Sequence, residues 1–452
     1  MSQPELATSR VRAHLLTIGD ELLSGDIVDR HKAWLGQRCR ALGIEVVRAT
    51  TVRDREDEII AAMRAAAAEA ELCLVSGGLG PTTDDLTTIA AAKAAGVGLA
   101  RRPELAERLE AFFASRGRAL VEANLRQADL PEGAEILDNP IGTAAGFALE
   151  FPPALSPSRC LLCSMPGVPR ELHKMMREQV EPRLHARHTL RPVPRRVYRI
   201  LGRGESAVQE DIKAVFAAAA QRSPGLAAMF VHYRARYPEV QIILEALPGP
   251  DGVAATAEEL ASLDGALHQA LGPALYAVGA DHHTNEGPPD LATVVVRALE
   301  ARGQTVTTAE SCTGGGLGAA ITTVSGSSAV FLGGVISYAN AVKQNQLGVS
   351  ADDLEAHGAV SEPVARSMAE GARTRLSSDY GVSTTGVAGP GGGSPEKPVG
   401  TVDVAVAGPD GTSYRRLRLF GERDTIRHAS ALWALKMLWD RLEVAPHGLT
   451  QP

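Results

Sequence analysis

The sequence is poor in aromatic residues, in cysteine and in long apolar runs. Only 4% of its 452 residues are Phe, Trp or Tyr, and five are Cys. An odd number of cysteines in a long chain is typical of reduced thiols rather than of a disulfide framework. No run approaches the ~18 apolar residues of a membrane-spanning helix, and the first residues lack the apolar core of a signal peptide. We therefore predict a cytoplasmic protein with no membrane partner.

The charge balance is mildly acidic. The 53 acidic residues outnumber the 46 Lys and Arg, which gives a formal net charge of −7. Proteins that bind nucleic acid normally present a basic face, so this balance disfavours a nucleic-acid partner and leaves only the local basic stretch "RPVPRRVYR" (191–199). The motif "CLLC" (160–163) has CxxC spacing, but positions three apart on a strand face opposite ways. Because no second pair exists, we predict neither zinc nor redox chemistry there.

Strand-like and helix-like patterns alternate in the first and last thirds of the chain. The runs "AHLLTIG" and "ELCLVSGG" are strand-like, and "DREDEIIAAMRAAAAEA" between them is helical. Such alternation predicts right-handed βαβ units and a parallel sheet. The middle third predicts a smaller unit in which the strand "VQIILEAL" precedes a long helix from residue 253.

Two stretches of linker composition, "TLRPVPRR" and "DHHTNEGPPD", separate these parts. The predicted fold class is α/β, with two parallel or mixed-sheet domains joined by a small α+β domain. The expected bounds are 1–185, 186–282 and 288–446.

Acidic residues and glycines follow two strands of the first domain. Asp20 follows the first strand, and Gly77, Gly78, Asp84 and Asp85 follow another. Ligands of open parallel sheets bind beyond the carboxyl ends of strands. Glycines let backbone N–H groups approach a phosphate, and carboxylates hold a divalent metal that neutralises it. The alternative is that Asp84 only caps the helix "DDLTTIAAAKAA" and the glycines only form a turn.

Ser311 stands between a strand and a glycine-rich helix entry in "TTAESCTGGGLG" (307–318). Backbone N–H groups of Thr313, Gly314 and Gly315 are expected to hold a substrate oxyanion or phosphate, because a helix start leaves them unpaired. Ser311 is then a candidate nucleophile. The alternative is that Ser311 is an N-cap, and Cys312 is a rival nucleophile.

A serine nucleophile needs a base, and no histidine stands in a motif near Ser311. Lys343, with Tyr338 five positions before it, is the candidate base. A lysine acts as a base only when burial lowers its pKa from about 10.4 toward 7–8. The alternative is a solvated lysine on a helix surface.

A second glycine-rich loop, "GPGGGSPEKPVG" (389–400), follows the strand-like run "GVSTTGVA". It suits close approach to a nucleotide phosphate, or it is only a flexible loop. Arg423 lies at the start of the last helix, where a salt bridge is the alternative. The residues of this region expected to bind substrate are Gly389, Gly391, Gly392, Gly393, Lys397 and Arg427.

Motifs over nearly the whole chain resemble the CinA (competence/damage-inducible) family. The motifs in the first domain are "IGDELLSGDIVDR", "SGGLGPTTDDLT", "NPIGTAAGF" and "MPGVPREL". Those in the last domain are "AESCTGG", "GSSAVFLGGVISYANAVK" and "GVAGPGGGSPEKPVGTV". The family usually has Asn at the position of His31 and Thr at that of Ser76.

The resemblance implies a molybdopterin-binding-like first domain with metal-dependent ADP-ribose pyrophosphatase activity. Asp20, Asp84 and Asp85 would handle an unidentified divalent metal. It implies a KH-like middle domain, although Gly202-Arg203-Gly204-Glu205 lacks the GxxG loop that clamps nucleic acid. The last domain would deamidate nicotinamide mononucleotide with Ser311, Lys343 and an assisting Tyr338, without a cofactor.

The resemblance also implies a homo-oligomer, expected to be a dimer. Two other functional classes stay open. One is a molybdopterin-type ligand-binding protein, and the other is a competence or DNA-damage partner protein without N-terminal catalysis.

Overall fold

The computed structural model describes residues 10–280 and 287–449. Their contacts divide the chain into two compact units, Met1–Val193 and Pro194–Pro452. Most of the expected linker "DHHTNEGPPD" lies outside the described residues.

The first unit is built on a six-stranded mixed sheet with the strand order β2-β1-β3-β8-β7-β6. Strands β2, β1, β3 and β8 are parallel, and β7 and β6 add an antiparallel edge. Strands β4 and β5 form a separate antiparallel pair. The strands are β1 (Arg12–Ile18), β2 (Glu45–Val52), β3 (Leu72–Ser76), β4 (Leu99–Arg101), β5 (Asp129–Pro131), β6 (Glu135–Leu137), β7 (Gly146–Glu150) and β8 (Leu161–Met165).

Helices cover this sheet and bury two apolar clusters against it. The central strand β3 is buried along its whole length, as expected for a parallel strand covered on both faces. The helices are α1 (Asp20–Ser24), α2 (Arg30–Ala41), α3 (Glu56–Glu69), α4 (Thr87–Ala95), α5 (Pro103–Ala114), α6 (Glu122–Leu125), α7 (Pro169–Met175) and α8 (Glu181–Arg187).

The second unit begins with a four-stranded antiparallel sheet of order β10-β11-β9-β12. The expected long helix from residue 253 is wrong, because two short helices stand there instead. The elements are β9 (Arg195–Leu201), α9 (Glu205–Arg222), α10 (Pro224–Ala228), β10 (Phe230–Arg236), β11 (Glu239–Glu245), α11 (Ala257–Ala261), α12 (Asp264–Leu271) and β12 (Leu275–Ala280).

A five-stranded mixed sheet of order β14-β13-β15-β16-β17 completes the second unit. Strand β13 is parallel to both of its neighbours, whereas β16 and β17 are antiparallel additions. The strands are β13 (Val306–Glu310), β14 (Phe331–Ile336), β15 (Tyr380–Gly386), β16 (Thr401–Gly408) and β17 (Gly411–Arg418). The helices are α13 (Leu291–Arg302), α14 (Gly316–Thr322), α15 (Asn340–Leu347), α16 (Ala351–His357), α17 (Glu362–Leu376) and α18 (Arg423–Arg441).

The two sheets of the second unit share an apolar cluster. Leu201 and Tyr276 from the first sheet pack in the same cluster as Leu435 and Leu438 of α18. The predicted α/β class is confirmed, and its parallel βαβ cores are those expected from the alternating patterns. A KH-like identity for the antiparallel sheet is not confirmed.

Candidate functional site

Ser311 directly follows β13, which lies between β14 and β15 in the C-terminal sheet. Its backbone N–H donates to Thr384 O at 2.9 Å, which fixes it to the neighbouring strand β15. Helix α14 begins only at Gly316, and its N-cap is Gly315 with a φ of 94°. The alternative that Ser311 is an N-cap is therefore wrong. Its side chain is largely buried and contacts Lys343 instead.

The Glu310 carboxylate accepts hydrogen bonds from the backbone N–H groups at the start of α14. This buried carboxylate accepts from the N–H groups of Gly315 at 2.9 Å, Leu317 at 3.0 Å and Gly318 at 2.8 Å. The Gly314 N–H donates to Ser311 O at 3.1 Å. The amides of Gly314 and Gly315, which we expected to hold an oxyanion or phosphate, are thus engaged within the turn.

Lys343 lies on α15, the helix that follows β14, and its side chain reaches Ser311. Its Nζ lies 3.2 Å from Ser311 Oγ, and it donates to the carbonyl oxygens of Ser337 at 2.7 Å and Tyr338 at 3.3 Å. Only 1% of Lys343 is exposed, so the alternative of a solvated surface lysine is wrong. Burial lowers the pKa of Lys343, because the charged form loses its hydration.

Tyr338 contacts Lys343 through its backbone and not through its ring. The ring is exposed, and its hydroxyl accepts from Arg423 Nη2 at 3.2 Å. The same guanidinium donates to Gly389 O at 2.7 Å. Arg423 therefore links the tyrosine to the glycine-rich loop.

These groups border a cavity of about 200 Å³. Cys312 also lies there, but burial raises the pKa of its thiol to about 12, which makes it a poor nucleophile at neutral pH. The cavity is lined by Ser311, Cys312, Tyr338, Lys343, Ala359, Val360, Thr385, Gly386, Ala388 and Arg423.

The other expected substrate-binding groups lie around this cavity without lining it. Lys397 Nζ donates to His357 O at 2.7 Å, and Arg427 Nη2 donates to Thr313 O at 2.9 Å. Within the loop, Gly389 and Gly392 have positive φ values of 77° and 81°. Gly391 and Gly393 belong to the same loop.

A larger cavity of about 830 Å³ lies beyond the carboxyl ends of β1, β3 and β8 in the first unit. Strands β2 and β3 lie on opposite sides of β1 in the sheet. The cavity is therefore at the point where the strand order reverses, which is where such folds bind ligands. The expected residues Gly77, Gly78, Asp84 and Asp85 line it. Gly77 and Gly78 have φ values of 106° and 67°.

Several carboxylates line this cavity, among them Asp54 and Asp84, whereas the expected ligand Asp20 is not part of its lining. Asp54, absent from the sequence-based expectations, accepts from Asp20 N at 2.9 Å. Burial raises the pKa of Asp54, and the negative charges of Glu21, Asp20 and Asp84 raise it further. Sequence patterns give little sign of Asp54, because it lies in the loop after β2.

Asp84 and Asp85 differ in their surroundings. Asp84 is exposed and is not the N-cap of α4, which begins at Thr87, so the capping alternative is wrong. Asp85 accepts from Thr82 N at 2.8 Å and from the Thr82 hydroxyl, and so holds the local turn.

The donor chemistry fits a hard divalent cation, since carboxylate oxygens are the ligands that Mg²⁺ and Ca²⁺ prefer. Among residues 10–280 and 287–449, however, no three His, Cys, Asp or Glu side chains converge closely enough to hold a metal ion. Asp20, Asp54 and Asp84 are the residues whose charge a cation would relieve.

His31 and Ser76, the two departures from the family pattern, contact each other at the wall of the large cavity. His31 Nδ1 lies 2.8 Å from Ser76 Oγ. The cysteines of "CLLC" offer no comparable site, because Cys160 and Cys163 are buried and their thiol pKa values are raised to about 12.

Two domain families match the chain, and both agree with this division of sites. Residues 14–186 match the "Probable molybdopterin binding domain", and residues 289–442 match the CinA C-terminal domain. A "CinA-like protein" of Synechococcus sp. (strain RCC307) is 41% identical over 96% of this chain and 99% of its own length. Another, from Anaeromyxobacter dehalogenans (strain 2CP-C), is 40% identical over 95% and 99%.

A solved structure of a competence/damage inducible protein from Agrobacterium tumefaciens covers 34% of this chain and 96% of its own. It is 41% identical with a TM-score of 0.32. The family matches and the observed strands and helices define an α/β protein that joins a molybdopterin-binding-type domain to a C-terminal domain bearing the Ser311–Lys343 pair. The chain belongs to the CinA family. Within the described parts of the chain, no helix has the length and apolarity needed to cross a membrane.

Proposed function

We propose that the C-terminal site hydrolyses the amide of nicotinamide mononucleotide to nicotinic acid mononucleotide and ammonia. The observation that carries the proposal is the buried contact between Ser311 Oγ and Lys343 Nζ at 3.2 Å. This pair provides a nucleophile and a base with a lowered pKa in one cavity, the arrangement that acyl transfer by serine requires.

The hydrogen bonds of Lys343 favour its role as the base. In the neutral amine, two N–H bonds serve the carbonyl oxygens of Ser337 and Tyr338, and the lone pair is left for the Ser311 hydroxyl. Ser311 Oγ attacks the carboxamide carbon as its proton passes to Lys343. When the C–N bond breaks, Lys343 returns this proton to the leaving nitrogen, and ammonia departs.

The second half of the reaction uses the same groups. Water attacks the ester carbon as Lys343 takes its proton, the bond to Ser311 Oγ breaks, and the serine regains a proton. The small cavity suits one ring with its carboxamide, since sites for whole drug-sized ligands occupy about 300–1,000 Å³. The ribose phosphate then lies outside, toward Arg423 and the Gly389 loop, and Tyr338 is held there by Arg423.

The decisive experiment offers the purified full chain a panel of pyridine nucleotides and identifies the products. Release of one ammonia per nicotinic acid mononucleotide formed, unaffected by EDTA, supports the proposal. If the purified chain leaves nicotinamide mononucleotide intact at every enzyme concentration tested, the proposal is wrong.

We propose a second activity, metal-dependent cleavage of ADP-ribose, for the N-terminal cavity. It is favoured by the position of the cavity at the switch point and by the carboxylates of Glu21, Asp54 and Asp84 in its lining. The pKa of Asp54 is raised by its burial and further by the negative charges around it. A divalent ion attracted to the negative charge of this cavity, where Asp54 and Asp84 lie in the lining, would neutralise phosphate oxygens, with substrate and water oxygens completing its coordination. Binding of a pterin without turnover of ADP-ribose would favour a ligand-binding protein instead.

The experiment for this second activity measures AMP and ribose 5-phosphate formed from ADP-ribose with Mg²⁺, Mn²⁺ or EDTA. We expect products only with a metal. The cytoplasmic location, the dimer and any link to competence or DNA damage stay predictions.

A further inference from the structure

His31, which is half-buried in the first turn of α2, differs from the buried His14 of β1 in how its ring is bonded. His14 has both nitrogens engaged within the protein, Nδ1 with Glu69 at 2.7 Å and Nε2 with Thr50 Oγ1 at 2.9 Å. His31 has only Nδ1 engaged, at 2.8 Å from Ser76 Oγ. Among the described residues, nothing bonds its Nε2. His14 is thus a satisfied structural residue, whereas His31 has a free ring nitrogen.

Ser76 determines which nitrogen of His31 carries the proton. The Ser76 hydroxyl has no other hydrogen-bond partner among the described residues, so donation to His31 Nδ1 is the arrangement that satisfies its buried O–H. The proton of the neutral ring then lies on Nε2. Burial lowers the pKa of His31, opposed by the nearby charge of Asp29, so the ring is neutral at neutral pH.

The large cavity has few other side-chain donors. Seven carboxylates line it, whereas Arg30 is its one Arg or Lys within the described residues. Gln127 also lines it, but its Nε2 already donates to Leu79 O at 3.2 Å. A ligand with acceptor oxygens therefore meets the His31 ring as one of the few side chains able to donate to it.

We propose that His31 is a ligand-recognition residue of the N-terminal cavity, and that its Nε2–H donates to an acceptor oxygen of a bound phosphorylated nucleotide. Ser76 is the positioning residue that holds the ring in this tautomer. The inference rests on the proposed ADP-ribose activity for the identity of the ligand. It adds a residue that acts independently of the metal-binding carboxylates.

Two variants separate recognition from a structural role. His31→Asn keeps an amide near the position of Nδ1 and so keeps the Ser76 contact, but it has no donor at the position of Nε2. His31→Gln places an amide near the position of Nε2 and gives up the Ser76 contact. Recognition predicts that Asn raises KM for ADP-ribose about tenfold or more while Gln stays within a few-fold of wild type.

Binding is measured with the full chain by calorimetry with AMP and Mg²⁺, beside the KM and kcat for ADP-ribose. Each substitution should raise the Kd for AMP and the KM for ADP-ribose by the same factor. Ser76→Ala should weaken binding less than His31→Asn, because it frees the tautomer but keeps the donor. The melting temperature of each variant reports any general loss of fold.

The opposite order overturns the inference: if Asn binds as wild type does and Gln is the weaker binder and melts earlier, His31 only supports the fold. Equal binding by all variants overturns it as well. A wild-type chain that neither cleaves ADP-ribose nor binds AMP refutes the proposed N-terminal activity itself. If instead the wild type is active and the His31 variants bind and cleave as well as it does, only the role of His31 is refuted.

Discussion

Lys343 Nζ lies 3.2 Å from Ser311 Oγ, and both side chains are buried. No carboxylate pairs with Lys343 among residues 10–280 and 287–449, and carbonyl oxygens are its other partners. A buried amine without a counter-charge loses its proton more readily than a solvated one. The pair therefore joins a weak nucleophile to a base suited to activating it, and the consequences can be measured.

Ser311→Ala should lower ammonia release from nicotinamide mononucleotide by about 10⁴-fold or more, because the attacking atom is removed. Its melting temperature should change little, since Ser311 is held through its backbone. Cys312→Ala is the matched control, and it should stay within a few-fold of wild type because the buried thiol has a pKa of about 12. The reverse outcome would make Cys312 the nucleophile.

Lys343→Met should lower deamidation by about 10²–10⁴-fold, the usual contribution of a general base. In the wild type, kcat/KM should rise with pH and level off above the lowered pKa of Lys343. The absence of an alkaline rise would remove Lys343 as the base.

Lys343→Met also has a stability signature. The pKa of Lys343 is lower in the folded chain than in the unfolded one, so between the two values the unfolded state binds more protons and wild-type stability rises with pH. Chemical unfolding of both proteins should show the wild type gaining on Lys343→Met as pH rises toward about 10. A pH-independent difference would show that the pKa of Lys343 is the same in the folded and unfolded chains.

Glu310→Gln should lower both kcat and stability. A neutral amide cannot accept from three N–H groups as the carboxylate does, so we expect a loss of about 2 kcal/mol in unfolding free energy. The Ser311 turn loosens with it, and kcat should fall while KM stays nearly unchanged. Glu300→Gln, an exposed change on α13, is the control. A stability loss with unchanged kcat would limit Glu310 to a structural role.

Glu310 also illustrates what the sequence could predict and what it could not. Local sequence patterns predicted the strand before Ser311, the glycine-rich turn after it and the parallel core. The acid next to Ser311 was visible, but its contact with the later N–H groups of Leu317 and Gly318 depends on the conformation of the turn. The contact between Ser311 and Lys343 joins residues 32 positions apart, so the sequence alone could offer Lys343 only as a candidate base, which the resemblance then supported. Local patterns also gave no indication that Arg423 would meet Tyr338.

Truncation should respect the shared cluster of the second unit. Leu201 and Tyr276 pack against α18, and Arg199 Nε donates to Pro288 O at 2.8 Å. We expect a chain that begins at Pro194 to keep full deamidase activity and one that begins at Gly287 to melt earlier, because the cut uncovers apolar surface. Calorimetry of the two fragments beside the full chain tests this. Equal melting temperatures would make the antiparallel sheet dispensable.

The carboxylates at the N-terminal cavity should separate into functional and structural members. Asp54→Asn and Asp84→Asn should each weaken metal-dependent cleavage of ADP-ribose by more than tenfold. Asp54→Asn should also leave the melting temperature unchanged or raised, because burial and the neighbouring negative charges raise the pKa of Asp54 and so disfavour its ionised form in the folded chain. Asp85→Asn should instead lower the melting temperature, because the Asp85 carboxylate holds the turn at Thr82. Deamidation by Ser311 is the internal control and should be unchanged in all three. If Asp54→Asn and Asp84→Asn cleave ADP-ribose at the normal rate with Mg²⁺, the carboxylates do not hold the metal, and the N-terminal activity loses its chemical basis.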